Sequence, residues 1–368
     1  MVSGCIVGGN QSLSEVSNAT IPLHKRSVTV EPQQFGPPLG WEVSFPESVM
    51  QSQENLSWWI TSMKDKEINT LLLHRSLFED RGESAIQWKA LVKEAHQQRI
   101  RVYAVVNLRE ELRGEGSLQE WSDIRFNADS GVLQPSGSPD LLHPKFQESI
   151  KIVSLDLATA GADMIVFRFD PPSGPFDGFS QYGLEGFQRD FDYRLFPRKL
   201  FTSDNRQRTQ DFPKVVPVTQ VRGKFSPEFW RWTGWKNREY LNALDSVMAA
   251  VRQQHPGTKF GIELHTDTMI NPRQALVEYT EDFLESRQRL FDRFIVVVSE
   301  SGVPSEVKPR FGKAVIKMTE LLGDPAMVFV LVSSHMPIWV TASEVLNIKA
   351  ALGLQRGVGL GFRGHDVP

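Results

Sequence analysis

Eight short apolar segments, separated by amphipathic stretches, constrain the fold of this chain more than any other feature of its sequence. Each segment has the length of a strand, and the stretches between them carry apolar residues at helical spacing. Parallel strands covered by helices on both faces have such nearly continuous apolar runs. In chain order the segments span residues 41–45, 69–74, 101–107, 163–170, 260–267, 293–300, 327–335 and 357–362.

Eight regular β/α units predict a closed α/β barrel of the (β/α)8, or TIM, type, forming a single domain over residues 37–368. An open doubly wound sheet is the competing architecture, and the number of units favours closure. The stretch Pro171–Lys224 is too long for an ordinary loop, so we expect a long insertion after the fourth strand. Residues 1–36 lack periodicity and predict a flexible tail or linker.

The composition argues against several classes of partner. The chain has 41 Lys and Arg residues against 44 Asp and Glu residues, a formal charge of -3. This balance lacks the basic surface typical of nucleic-acid binders, so we expect no nucleic-acid partner. No apolar run approaches the ~20 residues that span a bilayer. The sequence therefore predicts a soluble globular protein.

The single cysteine, Cys5, excludes an intrachain disulfide and a cysteine-based zinc cluster. It closes Val2-Ser3-Gly4-Cys5, which is similar to the end of a bacterial lipoprotein cleavage box. On that interpretation Cys5 carries lipid and tethers the chain to a membrane. The alternative is an incidental cysteine, since no charged segment and apolar segment of a signal peptide precede it.

Polar residues follow the apolar strands where a barrel places its chemistry, at the carboxyl ends of the strands. Two carboxylates at one barrel mouth suit glycoside hydrolysis, in which one donates a proton and the other acts as base or nucleophile. We predict Asp170 and Glu300 as this catalytic pair; the alternative is that each caps a helix or pairs with a nearby arginine. The predicted substrate-binding residues are His74, Asn107, Arg168, Trp232, Glu263, His265, Asp267 and His335.

Two further motifs have competing interpretations. His265 and Asp267 alternate on one strand face and are candidate metal ligands, but no Glu or His at helical spacing accompanies them, so we predict no metal. Gly359–Gly364 matches the dinucleotide pattern G-x-G-x-x-G, yet no helix is predicted to begin there, so we predict no cofactor.

Three tryptophans on the helix predicted from Pro227, namely Trp230, Trp232 and Trp235, are candidate stacking surfaces for sugar rings. We predict Trp232 as such a platform. Since a spacing of three residues is also typical of helix faces that pack on a core, core packing is the alternative.

Two segments, Asp163–Asp170 (DMIVFRFD) and Arg231–Arg238 (RWTGWKNR), resemble the C-terminal glycoside hydrolase domain of PgaB-type proteins, which process poly-β-1,6-N-acetylglucosamine. Val102-Tyr103-Ala104 is also similar, and the likeness extends in order from about Gly40 onward. The resemblance implies a TIM barrel that cleaves partly deacetylated polymer in the periplasm or at the outer membrane, beside biofilm or export machinery.

The resemblance also implies site residues. Asp170 occupies the place of the family's strand-four catalytic acid, and Glu300 lies one residue from its second acid. This chain departs from the family pattern where paired aspartates become Phe169-Asp170, and where an aromatic segment reads Ser334-His335-Met336. Two hypotheses follow: a metal-independent glycoside hydrolase, or a non-catalytic polysaccharide-binding barrel. Unrelated chemistry on the same fold is a third.

Overall fold

The structure is a computed structural model, and the residues it describes are 38–43, 49–78, 81–112, 120–127, 129–201, 225–299, 308–333, 349–350 and 352–363. Cys5, Glu300, His335 and the predicted tail of residues 1–36 lie outside the described residues.

Eight parallel strands form a closed barrel in which each barrel strand pairs with the next one in chain order, and the last pairs back to the first. This confirms the predicted (β/α)8 architecture. The barrel strands are β1 Leu39–Val43, β2 Thr70–Arg75, β3 Arg101–Asn107, β6 Met164–Arg168, β7 Lys259–His265, β8 Arg293–Ser299, β9 Val328–Ser333 and β10 Gly359–Arg363. Each coincides with one of the eight apolar segments of the sequence.

Helices cover the outside of the barrel and occupy the connections between strands. They are α1 Gln53–Asp65, α2 Arg81–Gln97, α3 Pro144–Ala160, α4 Gln181–Phe191, α5 Pro197–Leu200, α6 Pro227–Gln254, α7 Asp267–Ile270, α8 Pro272–Glu278, α9 Phe283–Ser286 and α10 Lys308–Leu322, with short 3-10 turns at Val49–Gln51 and Pro325–Met327. The longest, α6, begins where Ser226 Oγ accepts a hydrogen bond from the Phe229 amide and Pro227 occupies the first turn, as its sequence predicts. None of the helices that the structure describes is long and apolar enough to cross a membrane.

Two local features differ from the sequence prediction. A hairpin of β4 Ser122–Asn127 and β5 Val132–Pro139 lies between β3 and α3. Its second strand is largely exposed and contains Gly and Pro, so no apolar alternation marks it. The amphipathic stretch before the sixth apolar segment, around residues 273–290, predicts one helix. It instead forms two short helices, α8 and α9, because Thr280 adopts a left-handed conformation with φ of 56°.

The insertion after the fourth barrel strand, β6, includes α4 and α5 among its described residues, and buried charges fasten it to the barrel. Arg109 Nη1 donates to Asp123 at 2.9 Å, and Arg109 Nη2 donates to Asp177 at 3.1 Å. From α6, Lys236 Nζ donates to the carbonyls of Gly174 and Asp177 at 2.9 and 3.0 Å. Burial lowers the pKa of Lys236 to about 8, although the Asp177 and Asp123 carboxylates oppose this. These bonds fix the path of the chain immediately after β6, the segment that also contains Asp170.

The barrel interior is filled by side chains around one large ring, that of Phe329 on β9. Three glycines of the adjoining strands face this ring: a Cβ at Gly40, Gly359 or Gly361 would lie 2.5 to 2.6 Å from its atoms. Gly359 and Gly361, the first two glycines of the G-x-G-x-x-G match, therefore have a packing role. Because β10 and β1 carry no side chain at these points, the barrel accommodates an aromatic ring at its axis.

We expect Gly361→Ala to lower the free energy of unfolding by about 1–3 kcal/mol, since the added methyl group overlaps the Phe329 ring in a closely packed core. Chemical denaturation measures the change.

The matched control is Gly234→Ala, on α6, where no atom lies within 4 Å of the added Cβ. This change should raise the free energy of unfolding by up to about 1 kcal/mol, because alanine favours the helix. A Gly361→Ala protein as stable as the parent would show that the Phe329 contact does not limit packing.

Candidate functional site

Four charged side chains form a layer inside the barrel near the carboxyl ends of the strands, and we call Glu42, Arg168, Glu263 and Arg363 the charged layer. Arg168 donates from Nε to Glu263 at 2.8 Å and from Nη2 to Glu42 at 2.7 Å. Arg363 donates from Nη2 to Glu263 at 2.9 Å, and its Nε forms an ion pair with Glu42 at 2.9 Å. The two carboxylates and two guanidinium groups balance each other in charge.

The charged layer keeps both glutamates ionised. Burial alone would raise the pKa of Glu42, but Arg168, His74 and Arg363 together hold it far below its usual range. Burial likewise opposes ionisation of Glu263, and Arg168 and Arg363 again lower its pKa. Carboxyl groups held ionised by two arginines are poor proton donors. Glu42 and Glu263 are therefore unsuited to act as general acids.

The prediction that Arg168 and Glu263 bind substrate is corrected by their positions in the structure. Both are buried, and the guanidinium and carboxylate groups use their hydrogen bonds on each other and on Glu42 and Arg363. They form the bottom of the site and hold its shape. His74 remains partly exposed, and its Nε2 lies 2.8 Å from Glu42 Oε1 and 2.7 Å from Arg168 Nη1.

Above the charged layer, His265 at the end of β7 is held on three sides. Its Nδ1 lies 2.7 Å from Glu281 Oε1, and its backbone amide donates to Glu281 Oε2 at 2.9 Å. The Tyr279 ring stacks on the imidazole at a centroid distance of 4.0 Å. Thr268 donates its hydroxyl to Glu281 as well. The Glu281 carboxylate is buried, whereas the His265 side chain is 37 % exposed, so part of the imidazole remains accessible to solvent.

A second carboxylate of this region, Asp267, begins the short helix α7. The Tyr279 hydroxyl donates to its Oδ2 at 3.2 Å. Burial raises the pKa of Asp267, while this hydrogen bond and His265 oppose the change. An aspartate whose pKa is raised beside an ordered histidine is a candidate proton donor.

Asp170 follows β6 and is exposed to solvent. Asn107, at the end of β3, fixes its backbone: Asn107 Nδ2 donates to the Asp170 carbonyl at 2.5 Å, and the Asp170 amide donates to Asn107 Oδ1 at 3.0 Å. No ion pair to its carboxylate occurs among the residues that the structure describes. Asn107 thus holds the backbone of Asp170 in place, and its predicted contact with substrate stays a prediction.

Trp232 does not provide the predicted stacking platform. It is fully buried, and its ring is stacked between Phe179 and Trp235 at centroid distances of 5.2 Å on each side. Trp235 is buried as well, and its Nε1 donates to Asp190 at 2.8 Å. Core packing explains the tryptophan spacing, because α6 faces the insertion as well as the barrel.

Four residues of the site were absent from the sequence prediction: Glu42, Tyr279, Glu281 and Arg363. Glu42 carried a signal, since a charged residue between Trp41 and Val43 on an apolar strand points into the barrel. Glu281 carried none, because its position depends on the break between α8 and α9. No group of three or more His, Cys, Asp or Glu residues able to hold a metal ion occurs in the described part of the chain.

No protein-family model matches the chain, and no curated protein matches it in sequence. Solved structures do match. The glycoside hydrolase domain of PgaB (BpsB) from Bordetella bronchiseptica aligns with a TM-score of 0.57 and 14% identity, covering 88% of this chain and 93% of that one. The catalytic domain of β-amylase from Paenibacillus polymyxa aligns with a TM-score of 0.55 and 11% identity, covering 90% and 93%. The chain shares its barrel fold with glycoside hydrolases, and identities this low are evidence for the fold alone.

Removing one carboxylate from the charged layer should lower the stability of the folded protein. We expect Glu263→Gln to lower the free energy of unfolding at pH 7 by about 3 kcal/mol, because the buried Arg168 and the partly buried Arg363 then share one carboxylate. The parent should also lose stability as the pH falls below about 4.5, the ordinary glutamate value, since the unfolded chain takes up these protons first. The variant should lose less over the same range.

Glu120→Gln is the matched control, because Glu120 forms an exposed ion pair with Lys145 at 3.8 Å. Denaturation curves from pH 3 to 8 should place this control within about 0.5 kcal/mol of the parent. Equal effects of the two substitutions would contradict the stabilising role of the charged layer.

Proposed function

We propose that this barrel is a glycoside hydrolase that cleaves an amino-sugar polysaccharide of the partly deacetylated poly-β-1,6-N-acetylglucosamine type. The observation that carries the proposal is Asp170, an exposed carboxylate at the end of the fourth barrel strand whose backbone is fixed by Asn107. Its position at the mouth is the one from which barrel enzymes act. The fold shared with glycoside hydrolases supports the reaction class.

The reaction needs two carboxyl groups. One donates its proton to the glycosidic oxygen, and the other acts on the opposite face of the sugar as base or nucleophile. We assign Asp170 to this pair and propose Glu300, the residue directly after β8 in the sequence, as its partner. In this scheme the ionised charged layer supports the site from below and donates no proton.

The substrate class rests on the sequence resemblance and on the carboxylates around His265. Asp170 and Asp267 lie where they would attract the ammonium groups of deacetylated sugar residues. Polymers of this kind occur outside the cytoplasm, so we also propose an extracytoplasmic location, with Cys5 as a candidate lipid attachment point.

The decisive experiment is product analysis by mass spectrometry after incubation with partly deacetylated poly-β-1,6-N-acetylglucosamine. We expect the parent to release oligosaccharides and Asp170→Asn to reduce the rate by about 10²–10⁴-fold, because acid–base catalysis by one group contributes that much. The substitution should leave the unfolding transition unchanged, since Asn107 contacts only the backbone of residue 170.

Asp156→Asn is the matched control, because Asp156 lies on α3 outside the barrel. It should cleave at the parent rate. Fully acetylated polymer and an unrelated β-glucan test the substrate class. If the parent releases no product yet binds the polymer, the chain is a non-catalytic polysaccharide-binding barrel and the hydrolase proposal fails.

A further inference from the structure

A groove separate from the barrel mouth lies between α3, α4 and α6, in the outer layer of helices, and we call it the outer groove. Its volume is about 340 Å³, within the range of about 300–1,000 Å³ that is typical of small-molecule sites. It is lined by the first turn of α3, by α4 and by the middle turns of α6. Because α3 precedes β6 in a parallel barrel, its first turn lies toward the carboxyl ends of the strands. The outer groove is therefore nearer the mouth end of the barrel than the opposite end.

Tyr182, in the first turn of α4, provides an aromatic ring that lines the outer groove and is 41% exposed. His143 contacts this ring edge to face at a centroid distance of 4.8 Å. His143 is itself buried, and its Nδ1 accepts a hydrogen bond from the Lys145 amide at 3.1 Å where α3 begins. The tyrosine ring is thus supported on one side and accessible elsewhere, so it has little freedom to lose when a ligand stacks on it.

A second aromatic side chain of the outer groove, Trp235, comes from α6. Its Nε1 donates to Asp190 at 2.8 Å, and Trp232 stacks on its ring at 5.2 Å. Gly186 gives the indole its place, since a Cβ at this position would lie 2.9 Å from the ring. Trp235 is buried, so it forms the base of the groove, and its fixed indole N–H lies beside the site.

Polar side chains that donate and accept hydrogen bonds complete the lining. Asn242 Nδ2 donates to Glu239 Oε1 at 2.9 Å, and Gln147 Nε2 donates to the Leu141 carbonyl at 2.9 Å. The side-chain amide oxygens of Asn242 and Gln147 accept no hydrogen bond from any residue that the structure describes, so both are available to a ligand. The two charged residues of the lining, Arg189 and Glu239, are of opposite sign, which favours a ligand without net charge.

We propose that the outer groove is a second sugar-binding site, which takes a neutral pyranose unit with its apolar face on Tyr182. A pyranose has an apolar face and a rim of hydroxyl groups, and the groove offers an aromatic ring beside amide oxygens and charged groups of both signs. The sugar class follows from this lining. The choice of N-acetylglucosamine as the sugar rests on the proposed function, in which the polymer carries neutral and cationic units. The outer groove then binds acetylated units, whereas the acidic mouth favours deacetylated ones.

Binding is measured by NMR on the indole N–H signals of the nine tryptophans, with the Trp235 signal assigned from Trp235→Phe. The probe is a tetrasaccharide of β-1,6-linked N-acetylglucosamine, added to the Asp170→Asn protein so that no cleavage consumes it. We expect the Trp235 signal to move with increasing probe. The signals of Trp59 and Trp88, which are buried on α1 and α2, should stay in place.

Tyr182→Ala, made in the same protein, should raise the half-saturation concentration about tenfold, because the stacking surface is lost. Tyr193→Ala is the matched control, since Tyr193 is 38% exposed just after α4 and does not line the outer groove. It should bind as the parent does. Both tyrosines are exposed, so both variants should fold.

A Trp235 signal that is unmoved at about 10 mM tetrasaccharide overturns the site, and so does equally tight binding by Tyr182→Ala. The fully deacetylated, cationic tetrasaccharide tests the ligand class, since half-saturation at a lower concentration than the acetylated probe overturns the neutral assignment. Cleavage is measured separately on the polymer with the parent protein. If the parent cleaves nothing while Trp235 responds and Tyr182→Ala weakens the response, the hydrolase proposal fails and the outer groove stands. If the parent cleaves polymer while Trp235 is silent, the hydrolase proposal stands and this inference fails.

Discussion

The site depends on one interaction, the mutual neutralisation of two glutamates and two arginines inside the barrel. Charges buried at this depth are tolerated only when each has a partner and its hydrogen bonds are made. Arg168 meets both requirements by binding Glu42 and Glu263 at once, and Arg363, on β10, links the same two carboxylates. The apolar barrel interior therefore ends in a closed polar layer, and the groups above it lie in a mouth with a rigid base.

The connections between the strands determine which side chains lie above the charged layer. His265 would be an ordinary strand-end histidine without Glu281, and Glu281 reaches it only because the chain turns at Thr280. That turn is bonded to the insertion, since Thr280 donates to the Ser173 carbonyl. The insertion in turn depends on Arg109 and Lys236, whose buried charges fix its first residues. The mouth is thus built by loops, each fixed by polar contacts to the barrel or its helices.

The barrel fold is common to enzymes of many chemistries, so the fold alone does not identify a reaction. At this mouth, carboxyl groups of the same chemical kind lie in different environments. Glu42 and Glu263 are buried and fully paired, whereas Asp170 is exposed and Asp267 has a raised pKa. Separate environments for chemically identical groups allow one to donate a proton while another remains ionised.

The sequence determined the barrel and the end of the barrel at which the candidate site lies. Strand burial leaves a local pattern, since each of the eight apolar runs ends in polar residues. The sequence placed Asp170 and His265 near the ends of their strands, where the structure has them, whereas Asp267, predicted on the same strand as His265, begins α7; it also placed the insertion after the fourth barrel strand. Tertiary structure decided which of these groups are accessible. Arg168 and Glu263 neutralise each other across two strands, Trp232 is buried between aromatic rings, and Glu281 reaches His265 through a turn in a segment with helical periodicity. Periodicity reports which face of an element is buried, whereas ion pairing and ring stacking depend on which distant residues fold against it.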